Sequence, residues 1–460
     1  MFHCVSIFRA EHKSRRCSVT LLELTFRLLH VSREPLGLHS PHPMIIDINL
    51  RAPSINSRCR QLCSLFQTLP IALTFIFVSF SSRPETTCHF LSQLRFSLYP
   101  YRSYTMSAHR MKIGCAGLGR MGKRHALNFL ERTPRAELVA ASSPDPAELE
   151  WAKTHLEPFG VRLYQNYDDM LKQEGLEAVV VASATAVHAE QAIKAINADK
   201  HVLCEKPLST SVEVSQSVVD AASKKPHLKV MCGFSRRFDK SYRDAYTKML
   251  DGAIGSPSVL RSQTCDKLDP SGFFVAYAQF SGGIFVDCSI HDIDLALWFF
   301  GAGSKVKSVS AVGITAVEPD LRKHNDRDNA VGLVEFYDGR IAYFYASRMM
   351  AAGQEDTTEI IGTKGKVTVN TQPAMNHVHV FDDSGVRREI PQTYYDRFEY
   401  AFVTEANEFT ASVLDRTALP LDLGAAVQAV RIGAALQEAL VSGKKIFFDE
   451  QGERTEVARL

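Results

Sequence analysis

The spacing of hydrophobic positions changes twice along this chain and divides it into three parts. Up to about residue 105 no period is sustained. The one apolar run there, Leu69–Phe80, is shorter than a membrane span and carries Pro70. From Ile113 onward, short apolar runs alternate with helical patterns. Ile113–Ala116, Glu137–Ser142, Glu177–Ser183, His201–Pro207 and Leu228–Phe234 read as strands, and the continuous apolar run at Glu177–Ser183 suits a strand covered on both faces. Between them Met121–Leu130, Ala147–Leu156, Ala186–Ala198 and Val212–Ser223 read as helices. This alternation predicts a doubly wound parallel sheet, an α/β Rossmann domain, over 106–232. Beyond it, β-rich segments at Ser258–Cys265, Lys305–Ile314, Ala330–Tyr337, Arg340–Arg348 and Thr357–Thr363 are separated by turn residues such as Asp338-Gly339. A second, sheet-rich domain is expected over 233–460.

One run sits awkwardly in that pattern. "SGGIFVDCSIHDIDLALWFF", Ser281–Phe300, looks built for burial yet holds Asp287, His291, Asp292 and Asp294. Read as one helix, it buries Ile284, Cys288, Leu295 and Phe299 and sets Asp287 and His291, four apart, on one face. Taken alone, that pair reads as a buried His–Asp contact in which each group only satisfies the other.

Composition adds little for the folded part but much for its start. The chain has 460 residues, 45% of them hydrophobic, which is enough for two domains with cores of their own. The net charge of +2 conceals an asymmetry, because twelve basic and only five acidic residues precede Met106 and the remainder is mildly acidic. A nucleic-acid-binding globular domain is therefore not indicated. The Arg- and Ser-rich, acid-poor residues 1–105 suit a transit peptide. They equally suit a disordered or spurious leader before a start at Met106 or Met111, which is the reading adopted. Past the leader Cys115, Cys204, Cys232, Cys265 and Cys288 are scattered singly, with no metal-ligand spacing. They read as the reduced cysteines of a cytoplasmic protein.

The strongest chemical signal follows the first strand. Gly117-Leu118-Gly119-Arg120-Met121-Gly122 leaves a strand and opens a helix, the context in which GxGxxG marks a dinucleotide site. The first glycine permits the tight turn, the second lets a pyrophosphate approach, and the third lets helix and strand pack closely. At the end of the second strand, where NAD sites usually place a carboxylate for the ribose, Ser143 stands, with Asp145 two residues on. Asp145 favours NAD, and NADP remains open.

At "CEKPLS" the sequence resembles the Gfo/Idh/MocA oxidoreductases. The motif Glu205-Lys206-Pro207 follows the Rossmann start, and "VASATAVHAE", "GGIFVDCSIHDIDLALWF" and "TTEIIGTKGKV" follow in the family's order. The resemblance runs from about Met111 to the C-terminus, and "GFSRRFDKSY" is most similar to the inositol 2-dehydrogenase branch. It implies a Rossmann domain followed by an α+β domain with a large, mostly antiparallel open sheet, which often supports homo-oligomers, dimers or tetramers. It implies that Lys206 holds the reacting hydroxyl, that His291 is the general acid/base and that Asp287 orients the imidazole. Ser143, Ser183, Thr185, His188 and Glu205 join Lys206 and the glycine loop on the cofactor side, and Arg237, Thr264 and Asp266 are candidates for a sugar or polyol. The chain departs from the family pattern at Ala184, where proline is usual, and at Phe402, where tyrosine is frequent.

The implied activity is NAD(P)-dependent oxidation of a secondary alcohol on a cyclic polyol or sugar, with myo-inositol 2-dehydrogenase and inositol catabolism foremost. No metal, nucleic acid or membrane partner is expected. Two other readings stand beside it: a different sugar or dihydrodiol dehydrogenase on the same scaffold, and a non-catalytic dinucleotide-binding transcriptional regulator. Lys206, Asp287 and His291 together favour an enzyme, since a regulator has no use for the set.

Overall fold

The computed structural model describes residues 109–301 and 303–456, and the backbone of three strands nearer the start. The chain divides into two compact units, Met1–Ser107 and Ala108–Leu460. In the first, β1 (Leu24–Phe26), β2 (Met44–Leu50) and β3 (Gln93–Leu98) form an antiparallel sheet. The rest of the segment expected to be a leader lies outside the described residues.

The second unit begins with a six-stranded sheet. Its strands are β4 (Met111–Ala116), β5 (Ala136–Ser142), β6 (Arg162–Tyr164), β7 (Ala178–Val181), β8 (His201–Glu205) and β9 (Val230–Gly233). The order is β6-β5-β4-β7-β8-β9, and every pairing is parallel. All four β7 residues are fully buried, because helices cover both faces of a parallel sheet. The strand order reverses at β4, so a crevice opens beyond its C-terminal end, where ligands of such sheets bind. The connecting helices are α1 (Arg120–Glu131), α2 (Pro146–His155), α3 (Tyr167–Leu171), α4 (His188–Asn197) and α5 (Val212–Ser223). Sequence reading misses β6, three residues with none fully buried, and α3, a five-residue helix too short to show a period.

After α6 (Lys240–Leu250) the chain builds its second sheet. The strands are β10 (Pro257–Lys267), β11 (Val306–Ile314), β12 (Asn329–Phe336), β13 (Ile341–Met350), β14 (Glu355–Gly362) and β15 (Gly365–Val369), with a separate hairpin of β16 (His379–Asp382) and β17 (Gly385–Arg388), and short β18 (Ile446–Phe448) and β19 (Arg454–Thr455). The eight-stranded order is β15-β14-β10-β13-β12-β11-β18-β19, and only the β10–β13 pairing is parallel. This is the large, mostly antiparallel sheet that was expected. Helices α7 (Phe273–Ser281), α8 (Ile284–Asp287) and α9 (Ile290–Phe300) lie between β10 and β11. The closing helices are α10 (Tyr394–Leu414) and α11 (Gly424–Ser442), and α10 returns to the Rossmann domain. Asn407 on α10 donates to Arg132 O at 3.0 Å, and Arg135 forks onto Asp415.

The helix expected over Ser281–Phe300 is broken. Gly283 enters α8 at φ 89°, and a Cβ there would fall 2.1 Å from the Gln437 carboxamide. At the α8–α9 junction Ser289 N–H bonds Ile284 O, five residues back, which widens the turn. The widened turn interrupts the uniform helical spacing between Asp287 and His291.

Candidate active site

The glycine loop leaves β4 in the conformation its sequence requires. Gly117 adopts φ +84°, and a Cβ on it would lie 2.4 Å from Ser183 Cα. A Cβ on Gly122 would meet Gly117 O at 2.0 Å, so the third glycine seats α1 against the loop. Gly119 differs: its nearest neighbour would be a Glu148 carboxylate oxygen at 3.4 Å. It is also the N-cap of α1 and gives that helix no side-chain cap. The N–H groups of the first turn are thus left for a phosphate, in a cradle that any side chain would fill. The residues present fit the pyrophosphate of a nicotinamide dinucleotide. Leu118 is buried, whereas Arg120 is exposed and lies over the Phe273 ring at 5.7 Å.

The turns after β7 and β8 form the next wall. Ser183 Oγ donates to Gln191 at 2.6 Å, and Thr185 Oγ1 meets Tyr277 OH at 3.2 Å. His188 is 2% exposed, with Nε2 2.9 Å from Ser183 O and Nδ1 2.9 Å from Pro207 O. Both ring nitrogens face backbone carbonyls, of which a neutral imidazole donates to one. This corrects the expectation of a cofactor ligand, because His188 clamps the two turns together. Glu205 is likewise turned inward, where it takes His125 Nε2 at 2.7 Å and the Lys206 N–H at 3.1 Å. The Lys206–Pro207 peptide is cis.

Lys206 and α8 meet across the cleft. Lys206 Nζ donates to Asp287 O at 3.0 Å and lies 3.9 Å from Asp287 Oδ1. Arg348, from β13, donates to Asp287 Oδ2 at 3.0 Å and to the fully buried Asp326 at 2.7 Å. Burial pushes Asp287 up, but Lys206 and Arg348 outweigh it and hold the carboxyl below its usual range. Burial pulls Lys206 down, and Asp287, Tyr277 and Glu205 more than offset it, so the ammonium stays charged. The predicted pairing of Asp287 with His291 is thereby corrected. Asp287 is tied to Lys206 and Arg348, and His291 Nδ1 is buried with no hydrogen-bond partner among the described residues.

His291 packs between aromatic rings, stacked on Tyr394 at 4.9 Å with its edge toward Phe234 at 6.3 Å. Burial, then the charges of Lys206 and Arg236, push its pKa well below the usual 6.5. The imidazole is neutral at pH 7 and able to accept a proton, and the ammonium whose field it feels is charged.

The candidate substrate residues separate. Arg237 forks onto Asp294 at 2.6 and 2.8 Å and lies over Trp298, and Thr264 donates to Asp292 at 2.6 Å. Both are engaged in fixing α9, which corrects their expected role as sugar ligands. Asp266 is half-buried, accepts from Gln354 Nε2 at 2.8 Å, and sits beside Cys288 next to Asp287. Sequence reading missed Arg348 and Tyr394, since an arginine inside a strand and a tyrosine opening a helix carry no motif. Among the described residues no group of three or more His, Cys, Asp or Glu is placed to hold a metal, and no helix is long and apolar enough to cross a membrane.

Comparison with known proteins agrees with this geometry. Residues 111–234 match the model of the oxidoreductase family with an NAD-binding Rossmann fold, and residues 242–368 match the GFO/IDH/MocA C-terminal domain. A scyllo-inositol 2-dehydrogenase (NAD(+)) of Bacillus subtilis is 31% identical over 345 residues, 74% of this chain and 97% of its own. A myo-inositol 2-dehydrogenase of Thermotoga maritima is 30% identical over 342 residues, 74% of this chain and 99% of its own. The crystal structure of a scyllo-inositol dehydrogenase from Lactobacillus casei, with NAD(H) and scyllo-inositol bound, superposes with a TM-score of 0.70 at 35% identity, covering 74% of this chain and 99% of that one. The glycine cradle, the Glu-Lys-Pro turn and the broken α8–α9 helix thus occur in a chain that belongs to the Gfo/Idh/MocA family of NAD-dependent oxidoreductases.

Proposed function

We propose that this enzyme oxidises a ring hydroxyl of a cyclic polyol, inositol first among them, to the ketone. The observation that carries the reading is geometric: Lys206 Nζ reaches α8 and donates to Asp287 O at 3.0 Å, four residues before His291, whose Nδ1 has no partner among the described residues. The raised pKa of the one and the lowered pKa of the other agree with it. Bound NAD would take the hydride from the carbinol carbon. The hydroxyl proton has to leave at the same time. His291 accepts it, and Lys206 stabilises the oxygen as its negative charge grows. Asp287, itself held by Arg348, keeps Lys206 in place, and Asp266 at the rim accepts from a second hydroxyl. The inositol named for the relatives above supports the substrate class.

The same reading takes residues 1–105 as a leader, 106–232 as the cofactor domain and 233–460 as the substrate and assembly domain of a homo-oligomer. Exposed Val312, Ile314, Leu333 and Ile341 on the large sheet favour assembly. Among the described residues, five free, buried cysteines are in keeping with a reducing compartment such as the cytoplasm, and inositol catabolism is the matching role. The experiment is a panel of inositols, aldoses and dihydrodiols offered with NAD to the purified chain while NADH absorbance is followed. Turnover is expected with at least one inositol. NAD binding without turnover of any panel member would leave the regulator as the better account, and turnover confined to aldoses or dihydrodiols would move the substrate class.

A further inference from the structure

The strand-end acid that usually selects NAD is missing, and the structure holds a carboxylate nearby from an unexpected position. Asp145 cannot serve: it is exposed, and its side chain caps α2 by accepting from Ala147 N–H at 2.8 Å. Glu148 is the third residue of that helix. After an aspartate cap, a glutamate at that position ordinarily folds back onto the cap's own N–H. Here Ser143 Oγ has taken that N–H, at 3.1 Å. The same hydroxyl donates to Glu148 Oε2 at 2.6 Å. Glu148 is thereby turned outward from its helix, and Oε2 also accepts the Leu118 N–H of the glycine loop at 3.1 Å.

The carboxylate therefore stands at the end of β5, against the glycine loop, with Oε1 facing the open side of Gly119. Only Oε2 is engaged by the loop and Ser143. A carboxylate beside a dinucleotide loop accepts hydrogen bonds from the vicinal hydroxyls of the adenosine ribose and repels a 2′-phosphate. We propose that Glu148, oriented by Ser143, is the residue that selects NAD over NADP, replacing in space the acid that Ser143 replaces in sequence. The proposal rests on the NAD assignment and adds to it the group that reads the ribose.

The test is equilibrium binding of NADH and NADPH, by nucleotide fluorescence, to the wild-type chain, Glu148→Gln and Ser143→Ala. The wild type is expected to bind NADH well and NADPH weakly; failure to bind NADH would overturn the cofactor assignment itself. With that binding in hand, Glu148→Gln should weaken NADH by about tenfold or more and tighten NADPH, as loss of a charge-assisted hydrogen bond and of a repulsion requires. Ser143→Ala should shift the preference in the same direction but less. Wild-type-like preference in Glu148→Gln would overturn the proposal. So would tighter binding of both nucleotides, which would make Glu148 an obstruction in the site. Thermal melting of each variant without nucleotide separates either result from misfolding.

Discussion

Replacing Arg236 with methionine would expose the cost of the framework that fixes α9. Arg236 is 1% exposed. Its Nη1 donates to Asp292 at 2.8 Å, and its Nη2 donates to Asp356 and to Thr264, both at 2.7 Å. Both carboxylates are fully buried, and Ser262 and Thr264 also donate to Asp292. Removing the cation that bonds both carboxylates leaves two buried acids facing each other. Breaking a buried ion pair from one side costs about 3–5 kcal/mol, and the hydroxyls that remain keep the loss toward the middle of that range. Its pH dependence is more diagnostic. Burial raises Asp356 to about 7 even with Arg236 beside it, and Asp292 is raised as well. Without the cation both folded-state values climb further above the unfolded value. An acid whose folded value is raised contributes stability at low pH that is lost as pH rises. The variant's deficit should thus be largest at pH 8 and smaller at pH 6 by at least about 1 kcal/mol, since each extra proton retained is worth about 1.4 kcal/mol per pH unit. Urea unfolding followed by circular dichroism at the two pH values measures it. A deficit below about 1 kcal/mol at pH 8, or an equal deficit at both, would refute the reasoning. Arg236→Lys should rescue little, because a point charge cannot fork onto both carboxylates.

Two further outcomes follow from the site. Because burial, Lys206 and Arg236 hold His291 well below 6.5, kcat/KM for alcohol oxidation should stay level from pH 8 to 6.5 and fall only at lower pH, as the ring protonates; a half-maximal point at pH 7 or above would contradict a neutral, buried base. In the glycine loop, Gly119→Ala should melt within a few degrees of the wild type yet lose most NADH affinity in a fluorescence titration, since its Cβ enters only the cradle. Gly122→Ala, with its Cβ 2.0 Å from Gly117 O, should lower the melting temperature as well, and the opposite order of effects would misplace the cradle.

Periodicity revealed most of the fold because its longer elements are regular. Val212–Ser223 was legible to the residue, and the buried strands stood out as apolar runs. What escaped depends on contacts between distant residues. Uniform helical spacing predicts an Asp287–His291 pair, whereas Asp287 is tied to Lys206 and Arg348 from distant parts of the chain. Arg348 lies 61 positions from the aspartate it grips, on a strand placed by its pairing with β10 and β12. Arg237 looked available for a polyol because nothing local reveals its partner Asp294, 57 residues away. Glu148 was in plain view as an ordinary first-turn acid, and only the bonds of Ser143 show which way it faces.

The central claim, that Lys206 and His291 carry out the proton chemistry while the glycine cradle holds the cofactor, is tested most directly by separating turnover from binding in Lys206→Met. The measurement is kcat on the accepted inositol together with NADH affinity by fluorescence titration. The account predicts kcat lower by about two orders of magnitude or more, with NADH affinity within a few-fold of the wild type. An unchanged kcat, or a loss that appears only in NADH affinity, would contradict it.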